Sequence, residues 1–475
     1  MRNPALTRAA LAIGGTLMLA GCQTFSPDGG MSVTSDIASR ELGKDTVAIR
    51  NAEDASFAHK RVRELIKRPL SADAAVQIAL LNNRGLQAAY NELGIAETAM
   101  VAESLPPNPK LSLSRMANAA ELEIKRKIVA DILKLATLPV RAEIAQDRFR
   151  QAQLRAALET VRLAADTRRA YYGAVASQQL AARLGDAQSA AANAATLAAR
   201  LGQSGALNKL DQAREQVFYA EITAQRATAR QKSVADREKL VRTMGLWGDD
   251  LAFRLPAALP ALPARPRPLP AVERDALAHR IDVRIARIEV ETLAKSFGLS
   301  QATRFVNVLE LGVIDKNKKP TDGASERQRG IEIELQVPLF DFGETRLRQT
   351  EQTYMLAVNR LAEKAVNVRS QAREAYRSYR ATYDIAAHYQ REVLPLRKII
   401  SDEMTLRYGA MQLDVFALLT EQRQRIAASV AALEAQRNFW LASTDLSAAI
   451  VGGGGGSGEQ SSAVAMTATG DAPGH

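Results

Sequence analysis

The chain has 475 residues, 24% of them charged and only 5% aromatic, with a formal net charge of +11 and a single cysteine. That length suits two or three ordinary domains or one elongated one, and an aromatic-poor, Ala- and charge-rich composition suits long helices packed at close range. One cysteine excludes a disulfide framework and a zinc cluster, and the Lys and Arg residues are spread along helical faces without a basic block, which argues against nucleic acid despite the positive charge.

The N-terminus reads "MRNPALTRAALAIGGTLMLAGCQTF". Arg2 and Arg8 form a positive region, and the apolar run that follows to Ala20 is too short to span a membrane permanently, so residues 1–21 read as a secretory signal. Leu19-Ala20-Gly21-Cys22 resembles a bacterial lipobox, which implies cleavage before Cys22 and lipid on its thiol; Gln23, rather than Asp, resembles the outer-membrane address. Residues 22–68 then form a lipidated extended segment.

Residues 69–254 read as a first repeat: a short helix, a polar break, a longer helix, two strands and a long helical hairpin. The strands are "PKLSLSRM" (109–116) and "ELEIKRKIV" (121–129), and the continuation "ADILKLATLP" suits a helix. Leu154, Leu158, Val161, Ala165, Tyr172, Val175 and Ala182 follow a heptad rule broken by Arg168 and Gln179. A helix over 141–200 would reach roughly 90 Å at about 1.5 Å per residue. The stretch 255–270, "LPAALPALPARPRPLP", denies helix and favours an extended connector.

Residues 271–451 repeat the order. Leu86, Ala89 and Leu93 match Val283, Ala286 and Val290, and "GALNKLDQAREQ" is echoed by "GAMQLDVFALLTEQR". The strands here are 304–314 and 329–337, joined by the polar loop "DKNKKPTDGASERQR", which suits an exposed hairpin tip. In the second strand Ile331, Ile333, Leu335 and Val337 alternate with Glu332, Glu334 and Gln336, one face for oil and one for water. Pro338 ends the pairing and Gly343 allows a sharp turn. A heptad seam of Tyr354, Val358, Leu361, Ala365, Val368, Ala372, Ala375, Tyr379, Ala386 and Tyr389 follows, interrupted at Thr382. The tail 452–475 is low-complexity and disordered in character; its Gly run lacks the strand and Lys of a phosphate loop.

Four strands cannot close a barrel, and membrane strands must close, because no open edge survives in lipid and barrels need roughly eight strands or more. Two or three copies would supply about eight or twelve strands. Glu332 and Glu334 would then face a wet lumen and the isoleucines lipid. No catalytic, cofactor or metal motif emerges: the four histidines, His59, His279, His388 and His475, lack ligand spacing.

On these residues the chain resembles the outer-membrane efflux proteins of the TolC family, in particular their lipoprotein branch. "PLFDFGETR", with Pro338, Leu339, Phe340, Asp341, Gly343 and Arg346, resembles the family's strand-to-helix junction. "RLGQSGALNKLDQAREQ" (200–216) and "RYGAMQLDVFALL" (407–419) resemble its helix-turn-helix tips. The resemblance implies a mainly α fold with a small β part: duplicated coiled-coil hairpins forming an α-barrel, and four strands per chain contributing to a trimeric 12-stranded transmembrane β-barrel. It implies a passive exit duct rather than an enzyme, docked to a periplasmic adaptor and an inner-membrane pump of the RND type. Arg200, Leu201, Gly202, Gly205, Arg407, Tyr408 and Gly409 would be the adaptor-docking tips, with the glycines reversing the chain, and Asp211 and Asp414 the candidate gate. In this register Phe416 or Ala417 takes the usual acidic position near Asp414. The first half departs from the junction pattern, carrying "LATLPVR" with Pro139 and Arg141. The competing reading is a lipid-anchored periplasmic coiled-coil scaffold without a pore, which leaves the clean strand alternation unexplained.

Overall fold

The computed structural model describes residues 25–117, 121–320, 323–413 and 415–452. Cys22, Asp414 and the tail from 453 lie outside the described residues. Among those described, no helix is long and apolar enough to cross a membrane.

The N-terminal segment is more helical than its sequence suggests. Helix α1 (Ser32–Ile37) runs on as a π-helical turn (Ala38–Leu42) that ends at Gly43, and α2 (Ala52–Ile66) starts on an Asn51 cap. Between them the chain is extended, and two glutamines stand in for a neighbouring strand. Gln77 accepts from Asp45 N (3.1 Å) and donates to Asp45 O (2.9 Å); Gln87 does the same for Ile49 N and Val47 O, each at 2.9 Å. Satisfying those backbone groups lets the segment lie against the core.

Helix α3 (Ala72–Asn82) is capped by Ser71, and Asn83 breaks it from α4 (Arg84–Ser104). After strands β1 (Lys110–Ala117) and β2 (Glu121–Asp131) comes a short α5 (Ile132–Ala136). Helix α6 (Leu138–Gln203) has 66 residues, about 99 Å at 1.5 Å per residue. It is followed by α7 (Lys209–Met244), which stops at Gly245; φ there is +68°, and a Cβ would lie 2.9 Å from the Asn82 carbonyl oxygen. Only glycine fits that approach.

The second half repeats the order with α8 (Val272–His279), α9 (Ile281–Ala302), β3 (Val308–Pro320), β4 (Glu326–Gln336) and α10 (Glu344–His388). The last hairpin is α11 (Leu394–Gly409) and α12 (Val415–Val451). A π turn (Tyr389–Val393) separates α10 from α11. Pro395, in the first turn of α11, lacks an N–H and crowds the carbonyl four residues back, which accounts for the widened ladder.

The core sits where α6, α10 and α12 meet the short helices. Leu70, Ile78, Val175, Leu240 and Met244 form one cluster, and Val283, Val368, Tyr379 and Phe439 another. Trp440 packs against both and stacks on Tyr172, while Phe439 meets the rings of Tyr379 and Tyr383. The seam positions of α10 are all buried or half-buried, and Tyr383 fills the place that Thr382 leaves. In α6 the break at Gln179 has a purpose: its buried Oε1 accepts from Leu259 N at 3.0 Å. The Pro-rich connector is thereby tied across the helices rather than left loose. Trp440 Nε1 donates to Pro260 O (3.0 Å), Tyr383 OH to Pro263 O (3.0 Å), and Arg267 N to Tyr379 OH (3.0 Å).

The four strands make one antiparallel sheet in the order β1-β2-β3-β4, so the central β2–β3 pair joins the two halves. Strand β3 starts later and runs further than its sequence suggests. Residues 315–320 read as part of a polar loop, yet all of them pair with β2, and 315–318 pair with β4 as well. The reason is charge: Lys316 meets Glu123 at 2.8 Å and Asp315 meets Arg327 at 2.5 Å, so cross-strand ion pairs hold what composition alone assigns to a loop.

Candidate functional site

Direct cross-strand partners share a face, and the register sorts the sheet into two unlike surfaces. One carries Leu335, Leu309, Ile333, Leu311, Ile331, Val313, Ile128 and Leu111. The other carries Lys110, Lys127, Glu123, Lys316, Glu310, Glu332 and Glu334. The apolar side is bare in the single chain, with Ile331 and Leu111 each 75% exposed. The charged side is drawn together: Lys110 meets Glu310 at 2.9 Å and Lys127 meets Glu332 at 3.0 Å, with only 13% of the Glu310 side chain exposed. A sheet with ion pairs on one side and bare isoleucines on the other suits water against the first and lipid against the second. Among the described residues its outer strands, β1 and β4, have no partner beyond them.

Below the sheet, Pro338, Phe340, Asp341 and Gly343 fall together in the turn from β4 into α10. Phe342 N donates to Pro338 O (3.0 Å), and Asp341 accepts from Gly343 N (3.0 Å) and from the Thr345 hydroxyl. Those hydrogen bonds, Thr345 first, hold the Asp341 carboxyl below the usual carboxylate range. Gly343 takes φ +70°, and Phe342, at φ 48°, shares the left-handed region. Arg346 Nη2 reaches Thr303 O at 2.6 Å, tying α10 to the end of α9. In the other half Arg141 holds Glu103 near the end of α4, so "LATLPVR" performs the same clamping with different residues. Further along, the hydrogen bond from Lys295 to Asp147 (2.6 Å) joins α9 to α6 and holds the ammonium above its ordinary range.

At the opposite end lie the helical tips. At the first, Ala206 N and Leu207 N both donate to Leu201 O, at 2.9 and 3.1 Å, and Ser204 N donates to Arg200 O. At the second, Gln412 N donates to Arg407 O (2.9 Å) and Met411 N to Tyr408 O (3.0 Å). The glycines do not all act as the sequence suggests. Gly205 reverses the chain with φ +79°, but Gly202 is helical, and a Cβ on it would meet the Gln212 side chain. Gly409 is also helical, and Met411, at φ 57°, takes the left-handed position instead. Met411 is 95% exposed and Arg407 is held by Glu403 at 2.8 Å.

Asp211 lies in the first turn of α7, which Asn208 caps: Asp211 N donates to Asn208 Oδ1 (2.9 Å), and the Asp211 carboxylate accepts from Asn208 Nδ2 (2.6 Å) and Arg214 (2.9 Å). The sequence reading missed two ion pairs nearby. Arg423 on α12 donates to buried Glu215 on α7 at 2.5 Å and lies over the Phe218 ring, linking the two helical hairpins. Arg397 on α11 donates to buried Glu421 on α12 at 2.9 Å. The available signal was the Glu-Gln pair that both echoing stretches share, at 215–216 and 421–422. The described histidines stay apart, each beside its own acceptor: His59 by Asp250, His279 by Asp275 O and His388 by Glu392.

No family model and no curated protein sequence matches the chain. Solved structures do. The CmeC outer membrane channel of Campylobacter jejuni is 14% identical with a TM-score of 0.68, over 88% of this chain and 92% of that one. The outer membrane protein VceC of Vibrio cholerae is 15% identical with a TM-score of 0.67, over 81% of this chain and 97% of that one. The open state of the MtrE outer membrane channel of Neisseria gonorrhoeae is 19% identical with a TM-score of 0.60, over 83% and 89%. The chain therefore has the fold of these outer-membrane channels along most of its length.

Proposed function

We propose that three copies of this chain form the outer-membrane exit duct of a tripartite efflux system, which passes small molecules or ions outward from a pump. The observation that carries this is the open four-stranded sheet, apolar on one side and ion-paired on the other, set at the end of long helices, of which α6 reaches about 99 Å at 1.5 Å per residue. Three such sheets give the 12 strands of a closed barrel and remove the open edges that lipid forbids. The long helices then continue the tube across the periplasm.

Lipid on Cys22 anchors each protomer beside the barrel. The tips at 200–205 and 407–409 dock a periplasmic adaptor, which serves an inner-membrane pump of the RND type. The duct does no chemistry. It opens when adaptor contacts favour the dilated state over the closed one, a population shift driven by differential affinity. The Glu215–Arg423 pair, which joins α7 to α12 near the tips, stabilises the closed state.

Single cysteines at 331 to 335, introduced into the lipidated protein in vesicles, test the barrel. Positions 332 and 334 should react with a water-soluble thiol reagent, and 331, 333 and 335 should react only with a lipid-soluble one. Uniform reactivity with the water-soluble reagent would remove the barrel and leave the pore-less scaffold.

A further inference from the structure

The bare face of the sheet is apolar along only part of its length. Ile331 marks the last wholly apolar row, which it shares with Val313 and Ile128; the next row carries Arg126, Asp315 and Arg329. Arg115 and Arg327 fall on the same face one row further on, and Lys319 beyond them. Five cations thus share this end with one carboxylate among the described residues, Asp315. Arg327 takes that carboxylate with Nε and Nη2, at 2.8 and 2.5 Å, while Arg329 stands 4.0 Å off with 70% of its side chain exposed.

The other edge of the apolar band is of a different kind. Toward the helices it is bordered by exposed Phe305, Phe340 and Phe342, the aromatic rim expected at a membrane interface. The two edges are therefore built for different surroundings. From Val337 to Ile331 the chain climbs about 20 Å at 3.3 Å per residue, or about 15 Å of thickness at a tilt near 40°, less than the ~25 Å apolar band of membrane barrels. The arginines begin inside the expected hydrocarbon span, where a guanidinium is costly unless it reaches an anion.

We propose that this cationic end binds a phosphate-bearing lipid of the outer leaflet. Its chains lie on the Ile331 and Val313 band, and its phosphate bridges Arg126 and Arg329. A guanidinium pair favours phosphate through bidentate, charge-assisted hydrogen bonds. The ligand is an amphiphile because the cations continue directly into the apolar band, so a free anion would use only half of the surface. This proposal rests on the exit-duct reading, since it needs the apolar face in a bilayer.

The test places the full-length protein in nanodiscs of phosphatidylcholine mixed with bisphosphorylated lipid A and counts lipid A retained by native mass spectrometry. Wild-type trimers should retain lipid A, and the R126Q/R329Q variant should retain roughly tenfold less. The R126K/R329K variant should keep most of the binding, and inorganic phosphate should not displace the lipid. Equal retention by wild-type and R126Q/R329Q trimers, or displacement by inorganic phosphate, overturns the lipid site and leaves the barrel standing. Monomers of the wild type overturn the barrel reading and the site with it. If R126Q/R329Q alone fails to assemble, R329Q replaces it, with a loss of roughly threefold expected and equal retention again contradicting the site.

Discussion

At Gly343 the backbone leaves β4 for α10 with φ +70°, and a Cβ there would lie 2.3 Å from the Arg304 carbonyl oxygen. Gly343→Ala should therefore cost about 1–3 kcal/mol from backbone strain alone, with the clash added. A thermal melt of the detergent-solubilised protein should show a lower midpoint, and an unchanged one would contradict this account of the turn. Beside it, Asp341 has a depressed folded-state pKa, Thr345 being its main cause. Its contribution is present above the unfolded value of about 3.9 and is lost as pH falls through the lower folded value. Stability should then drop more steeply below about pH 4 in the wild type than in Asp341→Asn, by melts across that range. These junction residues were legible in sequence because their contacts are local. The pairing of Arg423 with Glu215 was not, because it joins side chains 208 positions apart on different hairpins. Removing its charge by Glu215→Gln should weaken a charge-assisted bond of about 1.5–3 kcal/mol and raise the open fraction roughly tenfold, read as single-channel open probability.

The long helices announce themselves because each core position recurs every three or four residues, and the α10 seam is packed along its length. Breaks in such a seam carry information that sequence alone does not decode. Gln179 looks like an error in the pattern until the connector is seen to need its carbonyl. Likewise the β3 extension over 315–320 reads as loop, since lysines and aspartates resist strand assignment until Glu123 and Arg327 are brought opposite them. The connector itself is bound by polar links from aromatic side chains. Tyr383→Phe removes the hydroxyl that donates to Pro263 O and Ala264 O. That loss should cost about 1 kcal/mol and speed proteolysis of the connector, with no change in cleavage contradicting its role as a tie. Phe439→Ala strikes the junction of α10 and α12, where the ring is 1% exposed, and should cost about 3–5 kcal/mol in a denaturant melt.

For the whole molecule, two halves of like element order meet along β2 and β3, and the resulting sheet has two faces of opposite character and two unpaired edges. A single chain leaves those edges open and its isoleucines in water; three chains around an axis resolve both. Element order and strand alternation were readable from the sequence, whereas the continuity of the sheet across the two halves was not, because all of α5 to α9 lies between β2 and β3. The central claim is that several chains share one pore. The measurement that tests it most directly is single-channel conductance of the purified lipidated protein in a planar bilayer, with mass photometry on the same sample. The account predicts trimers that pass small, cation-biased currents, increased by Glu215→Gln. Monomers that pass no current, with no heat-resistant β signal in circular dichroism, would contradict it.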